Sequence, residues 1–361
     1  MKERVFLGMS GGVDSTVAAV LLKEAGYEVV AYTYRVYDSV SDDCIKRQKG
    51  CCTVEAIFQA KETADKLGIE HHIIDLRKDF EETVISGFIT AYTSGLTPNP
   101  CADCNRFIKW GKIRTIADSM NCRLLATGHY ARIQNSGSKY FLSKAGDSEK
   151  DQTYFLWQIP RELLNTTLFP LGELKKEEVR KIAAEWGFER ESSKADSQEI
   201  CFIPGDNYRD FLKNHSDKLP GPGNFIDVKG NVLGNHAGFP FYTVGQRKGL
   251  IIAMGERMYV VEIRPETNEV VLGSPEDILS GAMIVNSFNP GKYDMLEEGM
   301  RLSVKVRYRS RTVEATVGEC ANDTAKIIFD EPLSAVTPGQ SAVFYDKEDI
   351  AGGAVILKSI K

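Results

Sequence analysis

Residues 8–15 are the first stretch of this 361-residue chain whose composition could support chemistry. They read Gly-Met-Ser-Gly-Gly-Val-Asp-Ser and connect a short apolar run, residues 5–7, to helical apolar spacing over 15–25. Adjacent glycines let backbone N–H groups converge on one point, where the following helix presents its positive end. The pattern predicts an anion site. The alternative is a tight turn with Asp14 or Ser15 as the helix N-cap.

This string has neither the lysine of a Walker motif nor the spacing of a dinucleotide fingerprint. It resembles the loop of the ATP-pyrophosphatase (PP-loop) superfamily, whose members cleave ATP between its α and β phosphates and adenylate a substrate oxygen. The resemblance implies ATP binding by the whole loop: Gly8, Met9, Ser10, Gly11, Gly12, Val13, Asp14 and Ser15. Because two anions repel, we expect Asp14 to help hold Mg²⁺ rather than to touch phosphate.

The cysteines are a second source of chemistry. Eight are too few for a disulfide scaffold in a chain of this length, so their grouping is the informative feature. Cys101 and Cys104 follow Pro98-Asn99-Pro100, which predicts an extended, exposed approach to a helix. A thiol at a helix N-terminus should have a lowered pKa and act as a nucleophile. Cys201 lies where the first half of the chain ends, on a segment that we expect to be mobile.

Three uses of these thiols compete: inert burial, a zinc site and sulfur chemistry. Zinc would need a fourth ligand at regular spacing, and three further cysteines, to which we assign no role, are wrongly spaced for it: Cys44, Cys51 and Cys52. The preferred class is persulfide chemistry, or an iron–sulfur site held by Cys101, Cys104 and Cys201.

Strand-like and helical patterns alternate through the first half of the chain. Strands are predicted at 5–7, 28–34, 71–76 and 124–127, and helices at 15–25, 54–67, 80–92 and 104–120. This alternation predicts a doubly wound parallel α/β sheet, in which ligands bind beyond the carboxyl ends of the strands.

The later part of the chain is rich in turn residues and short β runs. Such runs fall at 303–309, 312–317, 325–329, 341–345 and 353–357, and they predict a small antiparallel barrel or sandwich. We therefore expect three domains: an ATP-binding catalytic domain at 1–199, a small central domain at 200–277 and a β domain at 278–361.

Composition sets loose limits on the partners. The net charge of −5 argues weakly against nucleic acid, although local patches decide such binding. No window approaches the length of a membrane span, and the first apolar run is too short for a signal peptide. We expect a cytoplasmic protein.

Several distinctive strings accompany the ATP loop. They are TPNP at 97–100, ATGHY at 126–130, KDQTYFL at 150–156, LGE at 171–173, DS at 196–197, ICFI at 200–203, TVGQRKG at 243–249, RYR at 307–309, DEP at 330–332 and TPGQSAV at 337–343. With these strings in this order, the chain resembles the bacterial tRNA-specific 2-thiouridylase family nearly end to end.

The resemblance implies a PP-loop domain, a small central domain and a C-terminal β-barrel that contacts tRNA. It implies 2-thiolation of the wobble uridine in tRNAs for Lys, Glu and Gln, with Tyr34 and Gly128 near the adenosine of ATP. Matching also implies contacts to the target base and to tRNA by ten residues: Asn99, Pro100, Cys101, His129, Lys150, Asp151, Gln152, Arg307, Tyr308 and Gln340.

The resemblance also implies roles for two cysteines. Cys201 would carry a persulfide delivered by a sulfur relay protein or a cysteine desulfurase, and Cys104 would be its catalytic partner. ATP would adenylate O2 of the uracil ring, and the persulfide sulfur would attack C2. Attack of Cys104 on the sulfur of Cys201 would then release the product and leave a disulfide.

One position departs from the family pattern. Many members have D-x-x-C where this chain has Cys101 and Cys104. Cys101 could therefore compete with Cys201 for Cys104, and a third thiol also allows a labile four-iron cluster with sulfide at its open iron.

Several polar stretches have a structural interpretation as well. Asp151 could be a helix N-cap with residues 154–157 packed inward, and residues 246–249 could be a solvated turn rather than a phosphate contact. Three arginines, Arg307, Arg309 and Arg311, are predicted to share one strand face, which suits either RNA or a protective edge strand.

Two rival functions stay open. One is a PP-loop ligase or amidotransferase that acts on a small molecule and leaves the thiols idle. The other is a non-catalytic RNA-binding protein that keeps the barrel.

Overall fold

The computed structural model describes residues 2–37, 54–192, 200–203, 205, 207–250 and 257–361. Cys44, Cys51, Cys52 and the DS string at 196–197 lie outside the described residues. The chain divides into two compact units that are both discontinuous in sequence. Unit 1 comprises Met1–Val84, Cys101–Asp206 and Glu348–Ile350, and unit 2 comprises Ile85–Pro100, Asn207–Lys347 and Ala351–Lys361.

Unit 1 contains a five-stranded parallel sheet with the strand order β3-β2-β1-β4-β7. Its strands are β1 (Arg4–Gly8), β2 (Glu28–Arg35), β3 (Glu70–Asp75), β4 (Leu124–Ala126) and β7 (Thr167–Leu168). The chain leaves β1 toward β2 on one side and later adds β4 on the other. The strand order therefore reverses beside the carboxyl end of β1, which is the usual ligand position in such sheets.

Helices in this part of the chain alternate with the strands. They are α1 (Val13–Glu24), α2 (Val54–Leu67), α3 (Arg77–Phe80), a π-helix (Glu81–Ile85), α5 (Pro100–Asp103), a second π-helix (Cys104–Lys112), α6 (Ile113–Ser119), α7 (Thr153–Leu156), a 3₁₀ helix (Arg161–Thr166), α8 (Lys176–Glu185) and α9 (Glu189–Ser192).

The two faces of the parallel sheet have separate apolar packing. On one face, Val5 and Leu7 of β1 belong to a fully buried cluster with residues of α1, α2 and α8, such as Val17 and Val179. On the other face, Phe6 stacks on Tyr32, with ring centroids 4.4 Å apart. Burial on both faces explains why β1, β2 and β4 contain nearly continuous apolar runs, whereas the edge strand β3 is polar and partly exposed.

A hairpin of β5 (Arg132–Ser136) and β6 (Lys139–Ser143) completes unit 1. Its second strand pairs with the short segment Glu348–Ile350 through Ser143 and Asp349. The sequence patterns did not predict this hairpin, because its strands are short and largely polar on the exposed side.

Unit 2 contains a four-stranded sheet with the order β10-β11-β8-β9. Its strands are β8 (Gly223–Asp227), β9 (Val232–His236), β10 (Tyr259–Arg264) and β11 (Glu269–Gly273), and only the β11–β8 pair is parallel. Helix α4 (Ser86–Thr93) packs against α10 (Tyr208–His215), and a 3₁₀ helix spans Phe239–Phe241. Tyr92 stacks on Tyr208 at 4.7 Å between ring centroids.

Unit 2 also contains a closed antiparallel barrel. Its strands are β12 (Leu279–Pro290), β13 (Arg301–Lys305), β14 (Val313–Ala321), β15 (Thr324–Ser334), β16 (Ser341–Asp346) and β17 (Asp349–Ile360). The order is β12-β15-β14-β13-β16-β17, and β12 also pairs with β17, which closes the ring. Alternate residues such as Val304, Ile327 and Phe344 fill the interior.

These findings confirm the predicted fold class, a doubly wound parallel sheet followed by a small central domain and an antiparallel barrel. The predicted domain boundaries at residues 199 and 277 stay predictions. None of the helices in the described ranges combines the length and the apolar character that a bilayer crossing would require.

Candidate active site

The loop after β1 is held in shape by its own backbone and hydroxyl groups. Met9 N donates to the carbonyl of Tyr32 at 2.8 Å, and Ser10 N donates to Ser15 Oγ at 3.2 Å. Gly11 has φ +72°, and a Cβ atom there would lie 2.5 Å from the carbonyl oxygen of Ala56. Only glycine fits this position.

Helix α1 begins directly behind the loop, with Gly12 in extended conformation at its N-cap. No side chain of the described residues caps this end. The predicted alternative, with Asp14 or Ser15 as N-cap, is therefore wrong, because the helix begins at Val13 and both residues lie in its first turn. An uncapped helix start with a glycine loop in front of it is suited to bind an anion.

The carboxylate of Asp14 has two polar partners from distant parts of the chain. Lys176 Nζ lies 2.8 Å from both Asp14 oxygens, and the Tyr130 hydroxyl donates to Oδ1 at 2.7 Å. The Lys176 side chain is only 9% exposed. Sequence reasoning did not find Lys176 or Tyr130 at this site, because Lys176 lies 162 positions after Asp14 and no local spacing reports such a pair.

Gly128 lies against the same helix start. A Cβ atom at Gly128 would be 2.9 Å from the Asp14 carbonyl carbon and 3.0 Å from Ser15 N, so glycine permits this close approach. Tyr34 is half-buried near the end of β2, with its ring centroid 6.2 Å from that of Tyr32. The placement of Tyr34 and Gly128 near the adenosine of ATP stays a prediction.

The C-x-x-C pair lies at the start of a long helical segment. Helix α5 begins at Pro100, so Cys101 is its second residue and is exposed, whereas Cys104 is half-buried where the π-helix begins. The predicted helix start is thus confirmed to within a few residues. The π register was not predicted.

The predicted exposed approach to these cysteines is wrong, since Thr97, Asn99 and Pro100 are buried. Within unit 2, Thr97 N donates to the carbonyl of Pro338, and Asn99 Nδ2 donates to Ser341 Oγ, both at 2.9 Å. Gln340 Nε2 adds bonds to two carbonyls of the same segment, the shorter at 2.7 Å. Residues 97–99 therefore obtain hydrogen-bond partners from barrel strand β16 and from the turn that precedes it.

Tyr32, on strand β2 of the parallel sheet, interacts electrostatically with Cys104. Burial raises the pKa of the Tyr32 hydroxyl, and a negative charge at Cys104 raises it further, while Arg114 opposes both. The charge states of Cys104 and Tyr32 are therefore linked electrostatically. The Tyr32 hydroxyl is fully buried and has no hydrogen-bond partner among the described residues.

Cys201 lies in a tight turn and is exposed. The amide of Ile203 donates to the carbonyl of Ile200 at 3.0 Å, and the buried ring of Phe202 contacts Phe80 at 5.5 Å between centroids. The π-helix that begins at Cys104 is joined to α3 as well, through an ion pair of 2.7 Å between its last residue, Lys112, and Asp79. Both cysteine-bearing segments therefore pack against α3.

His129 is neutral in this environment. Burial, with the ammonium of Lys109, lowers its pKa well below the ordinary value. Lys109 Nζ lies 3.3 Å from Nε2 and can only donate, so the ring proton belongs on Nδ1, 2.7 Å from Thr127 Oγ1. The His129 ring therefore carries no positive charge at neutral pH.

Asp151 and Gln152 support the turn beside Tyr130. The carboxylate of Asp151 accepts bonds from Ala145 N and from the hydroxyl of Thr153, and Gln152 Oε1 accepts from Tyr130 N at 2.9 Å. The N-cap of α7 is Gln152, so the structural interpretation with Asp151 as N-cap is wrong in detail. Lys150, which precedes this turn, is half-buried.

The three arginines do not lie along one strand, which contradicts our prediction. Strand β13 ends at Lys305, and the chain then forms a turn in which Ser310 N donates to the Arg307 carbonyl. Arg307 is fixed by bonds from its guanidinium to the carbonyls of Ser334 and Ala335. One groove of about 520 Å³ is nevertheless lined by all three arginines: Arg307, Arg309 and Arg311. Tyr308 lies beside them, with Lys305 Nζ 5.5 Å from its ring centroid.

Metal ligands are not gathered in the part of the chain that the structure describes. No group of three or more His, Cys, Asp or Glu side chains there is arranged to hold a metal ion. The described residues include Cys101, Cys104 and Cys201, so these three thiols do not form a ready cluster site in this conformation.

Three family models match successive parts of the chain. They are the tRNA methyl transferase HUP domain at residues 3–205, the tRNA methyl transferase PRC-barrel domain at 209–274 and the aminomethyltransferase beta-barrel domain at 281–356.

Curated relatives match over the full length. The tRNA-specific 2-thiouridylase MnmA of Lachnoclostridium phytofermentans is 43% identical over 357 residues, which cover 99% of this chain and 100% of the relative. The protein of the same name from Clostridioides difficile is 43% identical over 100% of this chain and 99% of the relative. A 4-thiouridine synthetase solved with RNA and ATP is similar over 59% of this chain and 50% of its own, at 16% identity and a TM-score of 0.34, which adds nothing to the assignment.

Proposed function

Since this chain belongs to the tRNA-specific 2-thiouridylase family, we propose that it is a tRNA uridine 2-sulfurtransferase that replaces the C2 oxygen of a uridine with sulfur. The single observation that supports this function most is 43% identity to named 2-thiouridylases over the whole chain. The anion site at the loop after β1 supports the use of ATP, because it combines a glycine turn with an uncapped helix start.

The family models carry a methyl transferase description, whereas the relatives are named as thiouridylases. Methyl transfer needs no cleavage of ATP, and it needs no persulfide sulfur. The chain has both an ATP-type loop and exposed thiols at Cys101 and Cys201. The thiol of Cys104 is half-buried. These features favour thiolation.

The proposed reaction has two stages. ATP adenylates O2 of the uridine and releases pyrophosphate, which converts a poor leaving group into AMP. A persulfide on Cys201 attacks C2 and AMP departs. The Cys104 thiolate then attacks the Cys201 sulfur, which leaves the outer sulfur on the uridine and forms a Cys104–Cys201 disulfide that an external thiol must reduce.

Two features support these roles for the cysteines. Both segments pack against α3, and Cys201 is exposed at the corner of a turn where a donor protein can reach it. A sulfur relay protein or a cysteine desulfurase would supply the persulfide. The wobble uridine of tRNAs for Lys, Glu and Gln is the proposed target, and the cytoplasm, where such tRNAs act, is the proposed location.

The substrate contacts are proposed on the same basis. Asn99, Pro100 and Cys101 would contact the target base, and the remaining seven positions would touch tRNA: His129, Lys150, Asp151, Gln152, Arg307, Tyr308 and Gln340. The hydrogen bonds of Asn99 and Gln340 within unit 2 add a second task, which is to hold the segment before Cys101 in shape. Mg²⁺ at Asp14 would accompany ATP.

Replacement of Cys201 by serine tests the function against its rivals. We expect Cys201→Ser and Cys104→Ser to abolish 2-thiouridine, measured by mass spectrometry of digested tRNA, with ATP binding retained. Cys320→Ser is the matched control, since Cys320 is an exposed thiol on the barrel strand β14. Undiminished turnover of a small molecule by Cys201→Ser would instead indicate a ligase, and wild-type protein that binds tRNA without modifying it would indicate a binding protein.

Cys101 separates the persulfide route from an iron–sulfur route. The persulfide route needs only Cys104 and Cys201, so Cys101→Asp should still thiolate tRNA. A cluster would lose a ligand in that variant. Anaerobic purification with iron and sulfide analysis, followed by thiolation with and without the metal, completes the test, and activity that depends on both iron and Cys101 would refute the persulfide route.

A further inference from the structure

The ATP loop supplies no positive side chain of its own. Residues 8–15 contain no Lys or Arg, and the helix end behind them contributes the equivalent of about half a charge. Asp14 in the first turn of α1 adds a negative charge. The triphosphate of ATP carries several negative charges, so a cationic side chain from elsewhere in the chain would strengthen its binding beside any Mg²⁺ that accompanies it.

Lys176 is placed to be that cation. It is the first residue of α8, where its backbone N donates to Asp147 Oδ2 at 2.9 Å. Its side chain extends to the loop and lies 5.7 Å from the Tyr130 ring centroid, with Nζ on both oxygens of Asp14. A side chain that is 9% exposed gives the ammonium few alternatives to an anionic partner.

Asp14 keeps a hydrogen-bond donor when the Lys176 ammonium moves away from it. The hydroxyl of Tyr130 donates to Asp14 Oδ1 independently of Lys176, so the carboxylate keeps one donor. The four-carbon stem of lysine allows Nζ to move by a few ångström without a change in the helix that carries it. Phosphate at the start of α1 would arrive next to the ammonium.

We propose that Lys176 is the phosphate-binding cation of this ATP loop, held on Asp14 until nucleotide arrives. This inference deepens the proposed function, on which it rests for the presence of ATP. It assigns Lys176 the task that a lysine within the loop performs in Walker-type sites. The competing explanation is that Lys176 only neutralises Asp14.

The experiment measures binding of ATP and of adenosine by equilibrium dialysis, in EDTA so that a metal role of Asp14 does not enter. Loss of one charged hydrogen bond should weaken ATP binding by Lys176→Gln about 10- to 100-fold. Adenosine binding should not change. Lys176→Arg should retain part of the ATP affinity, and Lys181→Gln, on an exposed position of the same helix, should match wild type.

A double variant separates the two explanations. In Asp14→Asn with Lys176→Gln the negative charge is gone as well, and the ATP affinity should stay low because the ammonium is still missing. Recovery of wild-type ATP affinity would show that Lys176 acts only on Asp14 and would overturn the proposal. Unchanged ATP affinity in Lys176→Gln, or an equal loss for adenosine, would overturn it too. If Lys176→Gln loses ATP affinity as expected but the wild-type protein never thiolates tRNA, the proposed function alone would be contradicted.

Discussion

Gly128→Ala should damage the proposed ATP site through steric contact alone. The added Cβ would lie 2.9, 3.0 and 3.1 Å from three backbone atoms of Asp14 and Ser15, whereas ordinary contacts begin near 3.4 Å. Backbone atoms cannot rotate away as a side chain can, so either the first turn of α1 or the end of β4 must shift. Overpacking of this kind costs about 1–3 kcal/mol.

The assay combines urea unfolding with ATP binding. We expect the free energy of unfolding to fall by that amount, and the ATP affinity to fall about 10-fold for each 1.4 kcal/mol that the displaced loop loses in phosphate contacts. Gly87→Ala is the matched control, because it adds the same methyl group within α4, where no described atom lies within 4 Å apart from its chain neighbours and the backbone of its own helix. Its expected effect is a gain of about 0.5–1 kcal/mol. A Gly128→Ala protein with wild-type stability and wild-type ATP affinity would refute the packing described for this site.

Three further outcomes are expected. Tyr32→Phe should leave the free energy of unfolding unchanged or raise it by up to about 1 kcal/mol, because the buried hydroxyl has no partner among the described residues; a clear loss in urea unfolding would reveal one. Asn99→Ala should cost about 1–2 kcal/mol, and its combination with Ser341→Ala should cost less than the sum, since both remove one buried bond; strict additivity would contradict that pairing. The lowered pKa of His129 means that the unfolded chain takes up its proton first, so stability is lost as the pH falls below about 6.5, by at most about 1.4 kcal/mol per pH unit. His129→Gln should show a smaller loss between pH 7.5 and 5.5, and an identical loss would show that His129 does not titrate in this way.

Much of the parallel sheet could be predicted from the sequence, because buried strands and amphipathic helices have strong local signals. The predicted helix at 54–67 coincides with α2, and the predicted strand at 28–34 differs from β2 by one residue. The π turns were missed. Residues 80–92 were predicted as one helix but contain the π-helix Glu81–Ile85, and a change of register over five residues leaves the apolar pattern almost intact.

Other features of the site depend on contacts that no local pattern encodes. The alternation of Arg307, Arg309 and Arg311 predicts a shared face only if the chain is a strand there, and β13 ends before them. The ion pair of Lys176 with Asp14 joins residues on separate helices. The buried hydrogen bond of Asn99 depends on Ser341 of barrel strand β16, which lies 242 positions later in the chain.

The hydrogen bonds between residues 97–99 and residues 338–341 constrain how this protein can be made. A ribosome that has just delivered Cys101 and Cys104 still has well over 200 residues to add before Pro338, Gln340 and Ser341 emerge. Until then the segment in front of the cysteines has none of its native barrel partners. Residues 97–99 are therefore among the last parts of the molecule to reach their native hydrogen bonds during synthesis, and a chain that terminates before residues 338–341 would lack these bonds in front of Cys101.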